Sequence, residues 1–353
     1  MSHYRETFYI GGRYVEDLAG NHSLQGQMYV ERLIPSPTTG RKPYPLVFVH
    51  GGTRTGADWL TKPDGKPGWA DYFLTQGYEV YLVDVPYRGR SAWDPSVDDV
   101  KLIPAEKIQE NFTACARYGT WPQAKLHTQW PGTGLMGDPI FDRFFASGVQ
   151  MTVDQGLQES VSQEALVALL DRVEKPVILL SHSNGGGVPY LVADVRPQLV
   201  KAIVSIEPKG PPFVSSAMLL TQGNRYGVCQ APITYDPPVQ DPAVDLVTVT
   251  RKASDPDLMD ATLQAESPTP RRLINLTHIP VLVATAEASY HAMYDWCSVE
   301  YLRQAGVKTE HMKLKDRGIL GNGHMMFMEK NSDEIACAIE SWITETLPTP
   351  PEV

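Results

Sequence analysis

The sequence Ser-His-Ser-Asn-Gly at residues 181–185 constrains the fold of this chain more than any other segment. It follows an apolar, β-rich run at residues 176–180 and precedes a small-residue stretch at 185–193 that indicates the start of a helix. A strand, a small-x-Ser-x-small turn and a helix are the context of a nucleophile elbow, in which a sharp turn raises a serine hydroxyl above a sheet. The pattern predicts that Ser183 is a nucleophile. The same five residues also fit an ordinary Ser/Gly-rich loop, so the assignment depends on the rest of the chain.

Short apolar strands alternate with helical patterns from residue 45 onwards. The predicted strands are 46–49, 79–83, 177–180, 202–206, 281–284 and 311–314. The predicted helices are 67–76, 160–173, 185–194, 294–305 and 331–346. Continuous apolar runs are typical of strands buried on both faces of a parallel sheet. The alternation therefore predicts an α/β fold with a mostly parallel, doubly wound sheet.

Three parts of the chain depart from this strand–helix alternation: the N-terminus and two long internal stretches. Two strands at residues 7–10 and 27–33 are expected to pair antiparallel at the N-terminus, joined through turn signals at Gly11-Gly12 and Gly20-Asn21. Two long stretches rich in Pro and Gly then interrupt the alternation, and both are too long to be plain connections. The sequence predicts a core formed by three segments, a cap or lid insertion, and a second lid or edge excursion. The core segments are 1–92, 159–208 and 278–353, the cap is 93–158, and the second excursion is 209–277.

Composition excludes several classes of partner and location. The 353 residues are 42% hydrophobic and 20% charged, as in an ordinary globular protein. The net charge of −10 without a basic cluster argues against binding to nucleic acid or to an anionic membrane surface. No run approaches the roughly 18 apolar residues of a membrane span. The N-terminus lacks the apolar segment of a secretory signal, so a cytoplasmic location is expected. The four cysteines are widely spaced, which indicates free thiols and no zinc site.

A serine nucleophile needs backbone N–H groups where negative charge will develop. Such an oxyanion hole is built from the residue after the nucleophile and from a loop after an earlier strand. Here the candidates are Asn184 and the His-Gly-Gly-Thr loop at residues 50–53, specifically Gly52 and Thr53. Glycine lets the backbone approach a substrate without an intervening Cβ. His50 is interpreted as an anchor of this loop and not as a base.

The base and the acid of a triad must come from later loops. His324, flanked by Gly321 and Gly323, follows the last predicted strand and precedes the last helix, where a loop can lower an imidazole onto Ser183. Two carboxylates, Glu207 and Glu287, end successive strands and both satisfy the chain order Ser, acid, His. Chain order alone does not decide which of the two is the triad acid, and the position after the later strand favours Glu287.

Several motifs together resemble one group of known proteins. The segment at 84–91 is similar to a D-x-P-G-x-G-x-S turn of α/β-hydrolases, with Tyr87 in place of one glycine. With the segments 50–56, 63–69, 88–91, 181–185, 205–208 and 321–324, the chain resembles bacterial and fungal esterase-like α/β-hydrolases. In that group the triad acid is a Glu on the strand after the nucleophile helix, which implies Glu207 and overturns the preference for Glu287. The resemblance is also consistent with a homodimer, which no residue in the sequence tests.

The resemblance has limits that the residues themselves show. A bacterial member of the group has adjacent cysteines in the oxyanion loop, whereas this chain has Gly52 and Thr53 there. Redox-linked behaviour of that loop is therefore not implied. That bacterial member is also secreted, whereas the N-terminus of this sequence resembles no leader.

The predicted function is hydrolysis of an ester, lactone or thioester through an acyl-enzyme on Ser183, without a metal or organic cofactor. Cap aromatics indicate a bulky hydrophobic small-molecule substrate, although they also fit a small cap core. The candidates are Trp93, Trp121, Trp130 and Phe144. One alternative is a non-hydrolytic catalyst of secondary metabolism that uses His324 as a base for condensation, cyclisation or lyase chemistry. A catalytically silent binding protein is a second alternative. Arg88 and Arg90 fit either carboxylate binding or, as the commoner role of arginine, structural salt bridges.

Overall fold

A computed structural model describes residues 3–215 and 223–347 of the chain. Residues 216–222 of the predicted second excursion and the extreme ends of the predicted core therefore lie outside the described residues. The strands in the described residues are His3–Glu16 (β1), His22–Pro35 (β2), Leu46–Val49 (β3), Val80–Asp84 (β4), Val100–Lys101 (β5), Met151–Thr152 (β6), Val177–Ser183 (β7), Val200–Pro208 (β8), Thr248–Arg251 (β9), Ala261–Gln264 (β10), Val281–Thr285 (β11) and Thr309–Lys313 (β12). The α-helices are Trp69–Thr75 (α1), Ala105–Ile108 (α2), Cys115–Tyr118 (α3), Pro139–Ala146 (α4), Gln155–Val173 (α5), Val188–Val195 (α6), Pro242–Asp245 (α7), Asp295–Gln304 (α8) and Ser332–Thr346 (α9).

Eight strands form one twisted sheet in the order β1-β2-β4-β3-β7-β8-β11-β12. The pairs β1–β2 and β2–β4 are antiparallel, and the pairs from β4 through β12 are parallel. This confirms the expected α/β fold with antiparallel N-terminal strands. Parallel strands carry their C-terminal ends to one edge of the sheet, and ligands bind beyond that edge in open α/β folds.

The N-terminal hairpin is longer than the sequence predicts. Gly11, interpreted as part of a turn, pairs with Gln27 inside β1, and the hairpin turns near Gly20. The prediction was wrong at Gly11-Gly12 because glycine also marks irregular positions within strands, and both residues have positive φ, 67° and 80°. Most of β1 is exposed at the sheet edge, so it carries little apolar pattern.

Helices cover both faces of the sheet, as a doubly wound fold requires. Side chains of β3 alternate between the faces: Val47 and Val49 join one buried apolar cluster, and Leu46 and Phe48 join the other. The first cluster includes residues of α5, α6 and α8, and the second includes residues of α1 and α9. Within the described ranges, no helix has both the length and the apolar character needed to cross a membrane.

Residues 93–154 form a chain excursion of short elements between β4 and α5, so the predicted cap at 93–158 also takes in the first turn of α5. It contains the two-stranded ribbon β5–β6, helices α2 to α4 and a π-helix at Gln109–Thr113. Hydrogen bonds tie it to the loops at the C-terminal edge of the sheet: Trp121 Nε1 donates to Ala288 O, and His127 contacts Glu329 at 2.6 Å. These contacts place the excursion over that edge. Residues 223–277 hold α7 and the β9–β10 hairpin.

Candidate active site

Ser183 ends β7 at a sharp turn. Its backbone has φ 52° and ψ −124°, and a 3-10 turn at Asn184–Gly187 leads directly into α6. A Cβ at Gly185 would lie 2.5 Å from His50 O, so the turn admits only glycine there. The pairing of β7 with β8 also shifts register between His182 and Ser183. This is the strand–turn–helix geometry of a nucleophile elbow. Ser183 is half-buried, and its Oγ has no hydrogen-bond partner in the described part of the chain.

His324 and Glu207 are hydrogen-bonded in a buried pair. The distance from His324 Nδ1 to Glu207 Oε2 is 2.6 Å, and both side chains are buried. Glu207 stands near the end of β8 with φ 44°, and it accepts further hydrogen bonds from Ala286 N–H at 2.8 Å and from Ser289 Oγ at 2.7 Å. Three donors therefore converge on one carboxylate. Such a set of donors favours the ionised form of the carboxylate and fixes the proton of neutral His324 on Nδ1, which leaves Nε2 as an acceptor.

Burial dominates the electrostatics of this pair. It lowers the pKa of His324 well below 6.5, and the neighbouring His182 and His291 lower it further. Burial, followed by the nearby charge of Asp295, raises the pKa of Glu207, while the hydrogen bonds from Ser289 and Ala286 oppose that rise. A buried imidazole with a lowered pKa is neutral at pH 7, which is the form that can accept a proton.

Four rings surround the imidazole of His324. His291 stacks on it with a centroid distance of 4.7 Å and an interplanar angle of 6°, and His182 lies 4.4 Å away. Tyr290 and Phe112 pack at 5.0 and 5.2 Å. His182 Nε2 also donates to the carbonyl oxygen of His324 at 3.1 Å. Packing on several sides and a backbone tie hold the orientation of the imidazole.

His291 belongs to a second buried hydrogen-bond chain. Its Nδ1 lies 2.8 Å from Asp295 Oδ1 and its Nε2 lies 2.9 Å from Tyr294 Oη. Glu207, His291 and His324 offer ligand atoms within 4.8 Å of one another, which is close enough for a metal ion. Both nitrogens of His291 are already hydrogen-bonded, and His324 Nδ1 and Glu207 Oε2 are hydrogen-bonded to each other. These hydrogen bonds account for the cluster.

The loop at residues 50–53 lies beside the elbow. His50 Nδ1 donates to Gly51 O at 2.9 Å and His50 Nε2 accepts from Val85 N–H at 3.1 Å, so the imidazole pins the loop to the end of β4. Burial lowers the pKa of His50 to about 4, which keeps it in the neutral form that these two bonds require. A Cβ at Gly51 would lie 3.1 Å from Ser183 Cβ, and a Cβ at Gly52 would collide with the side chain of Asn184. Glycine therefore lets the loop approach the nucleophile, since a Cβ at either position would force the side chain of His182 or Asn184 to move.

The structure separates the two candidate acids. Glu287 accepts a hydrogen bond from Gly321 N–H at 2.9 Å and so supports the loop that carries His324. It has no hydrogen bond to His324 in the described residues, whereas Glu207 has one. Ser183 ends β7 and Glu207 stands near the end of the neighbouring strand β8, where Glu207 holds the imidazole of His324.

The cap aromatics have different surroundings. Trp121 packs edge-on against Tyr290 at 5.8 Å, and Trp130 packs against Phe144 at 5.3 Å. Phe144 lines a cavity of about 160 Å³ that adjoins the oxyanion loop at Thr53. The other apolar residues of its wall include Leu102, Ile103 and Ile108. Trp93 is 36% exposed, hydrogen-bonds to Asp98 O, and makes no ring contact with the His324 cluster.

Sequence reasoning missed Phe112, Tyr290 and His291. Phe112 lies in the π-helix, a distortion that often marks functional positions but leaves no sequence pattern. Tyr290 and His291 follow Glu287 by only a few residues, so a search of the loop after β11 for aromatic and imidazole rings could have found them.

A mostly parallel sheet that presents a sharply turned serine and a buried His–carboxylate pair at its C-terminal edge defines the α/β-hydrolase class. The chain belongs to the alpha/beta hydrolase family, whose pattern it matches over residues 46–338. This match confirms the resemblance to α/β-hydrolases drawn from the sequence motifs.

Two relatives illustrate the similarity. A fungal protein named "Probable secreted lipase phiG", from Fungal sp. (strain ATCC 74256), is 46% identical over 336 residues, which cover 95% of this chain and 88% of the relative. A solved structure described as a novel bacterial esterase has a TM-score of 0.64 at 23% identity and covers 97% of this chain and 96% of its own. At that identity, the second similarity shows the fold alone.

Proposed function

We propose that this hydrolase cleaves a carboxylic ester, lactone or thioester through an acyl-enzyme on Ser183. The observation that carries the proposal is the 2.6 Å hydrogen bond between buried Glu207 and His324, beside the elbow of Ser183. A serine is a weak nucleophile until a neighbouring base takes its proton, and the base is effective when a third group orients it.

In the first half-reaction, His324 Nε2 accepts the proton of Ser183 Oγ as the oxygen attacks the substrate carbonyl. The N–H groups of Asn184 and of Gly52 or Thr53 stabilise the oxyanion. His324 then protonates the leaving alcohol, and the acyl group remains on Ser183. In the second half-reaction, His324 activates a water molecule that releases the acid. Glu207 stabilises the imidazolium in both halves.

The surroundings of the site support an apolar substrate. The cavity of about 160 Å³ beside Thr53 is lined mainly by aliphatic and aromatic side chains, and Phe112 covers one face of His324. The name of the fungal relative contains the word lipase, in keeping with a hydrophobic ester. The same name says secreted, which bears against the strictly cytoplasmic location expected above. The homodimer remains a prediction.

Reaction with a fluorophosphonate tests the proposal directly. We expect one adduct per chain on Ser183, because the reagent phosphonylates only an activated serine, and we expect the adduct to be lost in His324→Ala. Intact-mass measurement gives the stoichiometry, and peptide mapping gives the residue. If the folded protein forms no adduct, or forms it at another serine, the proposed mechanism is wrong, and a non-hydrolytic use of His324 becomes the better account.

The rate of this labelling is expected to persist at mildly acidic pH. Burial holds the pKa of His324 well below 6.5, so the neutral base survives as the pH falls and is lost only when the pH drops below that range. The second-order labelling constant, measured from pH 4 to 9, should be level through about pH 6.5 and should decline only at pH values well below the ordinary histidine range. Circular dichroism at each pH shows whether the protein is still folded. A midpoint at about pH 6.5 or above, where an ordinary histidine titrates, would contradict the assignment of a buried neutral base.

A further inference from the structure

A second buried carboxylate, that of Glu329, joins the cap at residues 93–154 to the loop at residues 320–324 that carries the base. Its Oε1 lies 2.6 Å from Nε2 of His127, a cap residue. Its Oε2 accepts from Asn322 Nδ2 at 2.8 Å, and Gly323 N–H donates to both oxygens at 3.1 Å. Because a carboxylate oxygen accepts hydrogen bonds, His127 Nε2 is a donor here. One carboxylate therefore receives one donor from the cap and two from the residues just before His324.

The cap also contacts this loop directly. The backbone N–H groups of Thr128 and Gln129 donate to Gly321 O at 2.9 and 3.1 Å. A Cβ at Gly323 would lie 2.9 Å from His127 Nε2, so a larger residue there would press against the cap imidazole. His127 and the loop thus approach each other closely around a common acceptor.

Burial makes these hydrogen bonds hard to replace. The side chains of His127 and Glu329 are 2% and 0% exposed, so water has little access to the donors that meet at the carboxylate. A buried N–H group that loses its acceptor is costly, and a loop can relieve that cost by moving. Gly323 directly precedes His324, so movement of this peptide redirects the imidazole away from Ser183.

We propose that Glu329 is a positioning residue for His324 and that it couples the orientation of this base to the seating of the cap through His127. Glu329 acts through the backbone of Gly323 and not on the reacting atoms. The base is fully oriented only while the cap donates to the same carboxylate, so the position of the cap controls turnover as well as access. This inference rests on the proposed serine hydrolase and adds a residue on which its base depends.

Glu329→Gln tests the positioning role. A Gln amide has one oxygen where the carboxylate has two, and its NH₂ group faces a donor. We expect kcat for 4-nitrophenyl acetate to fall about 10²-fold with KM within about threefold, because a small displacement of a catalytic group has an effect of that order. The rate of fluorophosphonate labelling at Ser183 should fall by a similar factor. Both rates are measured well below the melting temperature, where a purely structural role would leave them unchanged.

Asp194→Asn is the matched control. Asp194 is also a buried carboxylate with several donors: Thr234 N–H at 3.0 Å, Thr234 Oγ1 at 2.9 Å and Asn275 Nδ2 at 2.9 Å. These partners belong to the second excursion and make no contact with the loop at 320–324 through Asp194. This variant should lose melting temperature as Glu329→Gln does, while its kcat and labelling rate stay within a few-fold of the unmodified protein.

Two variants of His127 test the coupling to the cap. His127→Leu removes the donor, whereas His127→Gln places an amide nitrogen near the position of Nε2 and can still donate to Glu329. We expect kcat and the labelling rate to fall about tenfold in the Leu variant and to recover to within about threefold in the Gln variant. Equal rates in the two variants would overturn the coupling.

The outcomes separate this inference from the proposed hydrolase. Unchanged kcat and labelling in folded Glu329→Gln, or equal losses in Glu329→Gln and Asp194→Asn, would overturn the positioning role and leave the hydrolase intact. Absence of ester hydrolysis and of a Ser183 adduct in the unmodified protein would overturn the hydrolase itself. If Glu329→Gln does not fold, the two His127 variants decide the question, since only a shared carboxylate predicts recovery with Gln.

Discussion

Replacing Ser183 with alanine is expected to lower kcat for any hydrolysed ester by about 10⁴–10⁶-fold, because the covalent route is lost and only binding and oxyanion stabilisation remain. The residual rate should no longer respond to fluorophosphonate. Initial rates of 4-nitrophenyl ester hydrolysis at saturating substrate measure the effect.

Ser181 provides a matched control on the same strand. Its Oγ is buried without a hydrogen-bond partner in the described residues, two positions before the nucleophile. Ser181→Ala therefore removes a hydroxyl that neither bonds to the protein nor takes part in the mechanism, and its kcat should stay within a few-fold of the unmodified protein. Equal losses in the two variants would show that the deficit comes from a disturbed elbow, and the nucleophile assignment would then fail.

Replacing Glu207 with glutamine is expected to lower kcat by about 10³–10⁴-fold with little change in fold. A Gln amide facing His324 Nδ1 donates where the carboxylate accepts, so the imidazole adopts the other tautomer and Nε2 can no longer take the proton of Ser183. The variant should also label slowly with fluorophosphonate. Both kcat and the labelling rate are measured, with the melting temperature as a check on folding.

The corresponding control is Glu287→Gln. The oxygen of a Gln side chain can still accept from Gly321 N–H, so this variant should keep activity within about tenfold. The pair of variants decides between the two acids that the chain order leaves open. A large loss in Glu287→Gln beside a small loss in Glu207→Gln would reverse the assignment, whatever the hydrogen bonds in the resting structure.

Most of the fold can be predicted from the sequence, because buried strands and helices have a characteristic spacing of apolar residues. The predictions are wrong where a buried element lacks that spacing. Helix α5 begins at Gln155, where the Asp154 side chain accepts from Leu157 N–H, five residues before the predicted start. Leu157 is the one large apolar residue among residues 155–159, because Gln158 and Glu159 line a small cavity beside Arg88, and a segment with so little apolar pattern does not indicate a helix. Likewise α6 begins at Val188, because residues Asn184–Gly187 form a 3-10 turn.

The site was harder to predict than the fold for a different reason. Local motifs identify Ser183 and the loop at 50–53, since each needs a special backbone conformation that selects its neighbours. Which carboxylate pairs with His324 depends on the backbone conformation at the ends of β8 and β11. Glu207 and Glu287 occupy similar positions in the pattern, and the φ of 44° at Glu207 is not encoded in any motif of residue types. The meeting of His127, Asn322 and Gly323 at Glu329 is likewise a property of three-dimensional surroundings.

The positive φ values of Ser183 and Glu207, 52° and 44°, sit on neighbouring strands that are tied by a hydrogen bond from Lys209 N–H to Ser183 O at 2.9 Å. Each such backbone conformation costs a non-glycine residue about 1–3 kcal/mol. Glycine at either position would remove this backbone strain, but it would also remove the hydroxyl of Ser183 or the carboxylate of Glu207. Thermostability selected without an assay for turnover is therefore expected to replace Ser183 and Glu207 first, so that folding and the proposed function are in conflict at two adjacent strand ends.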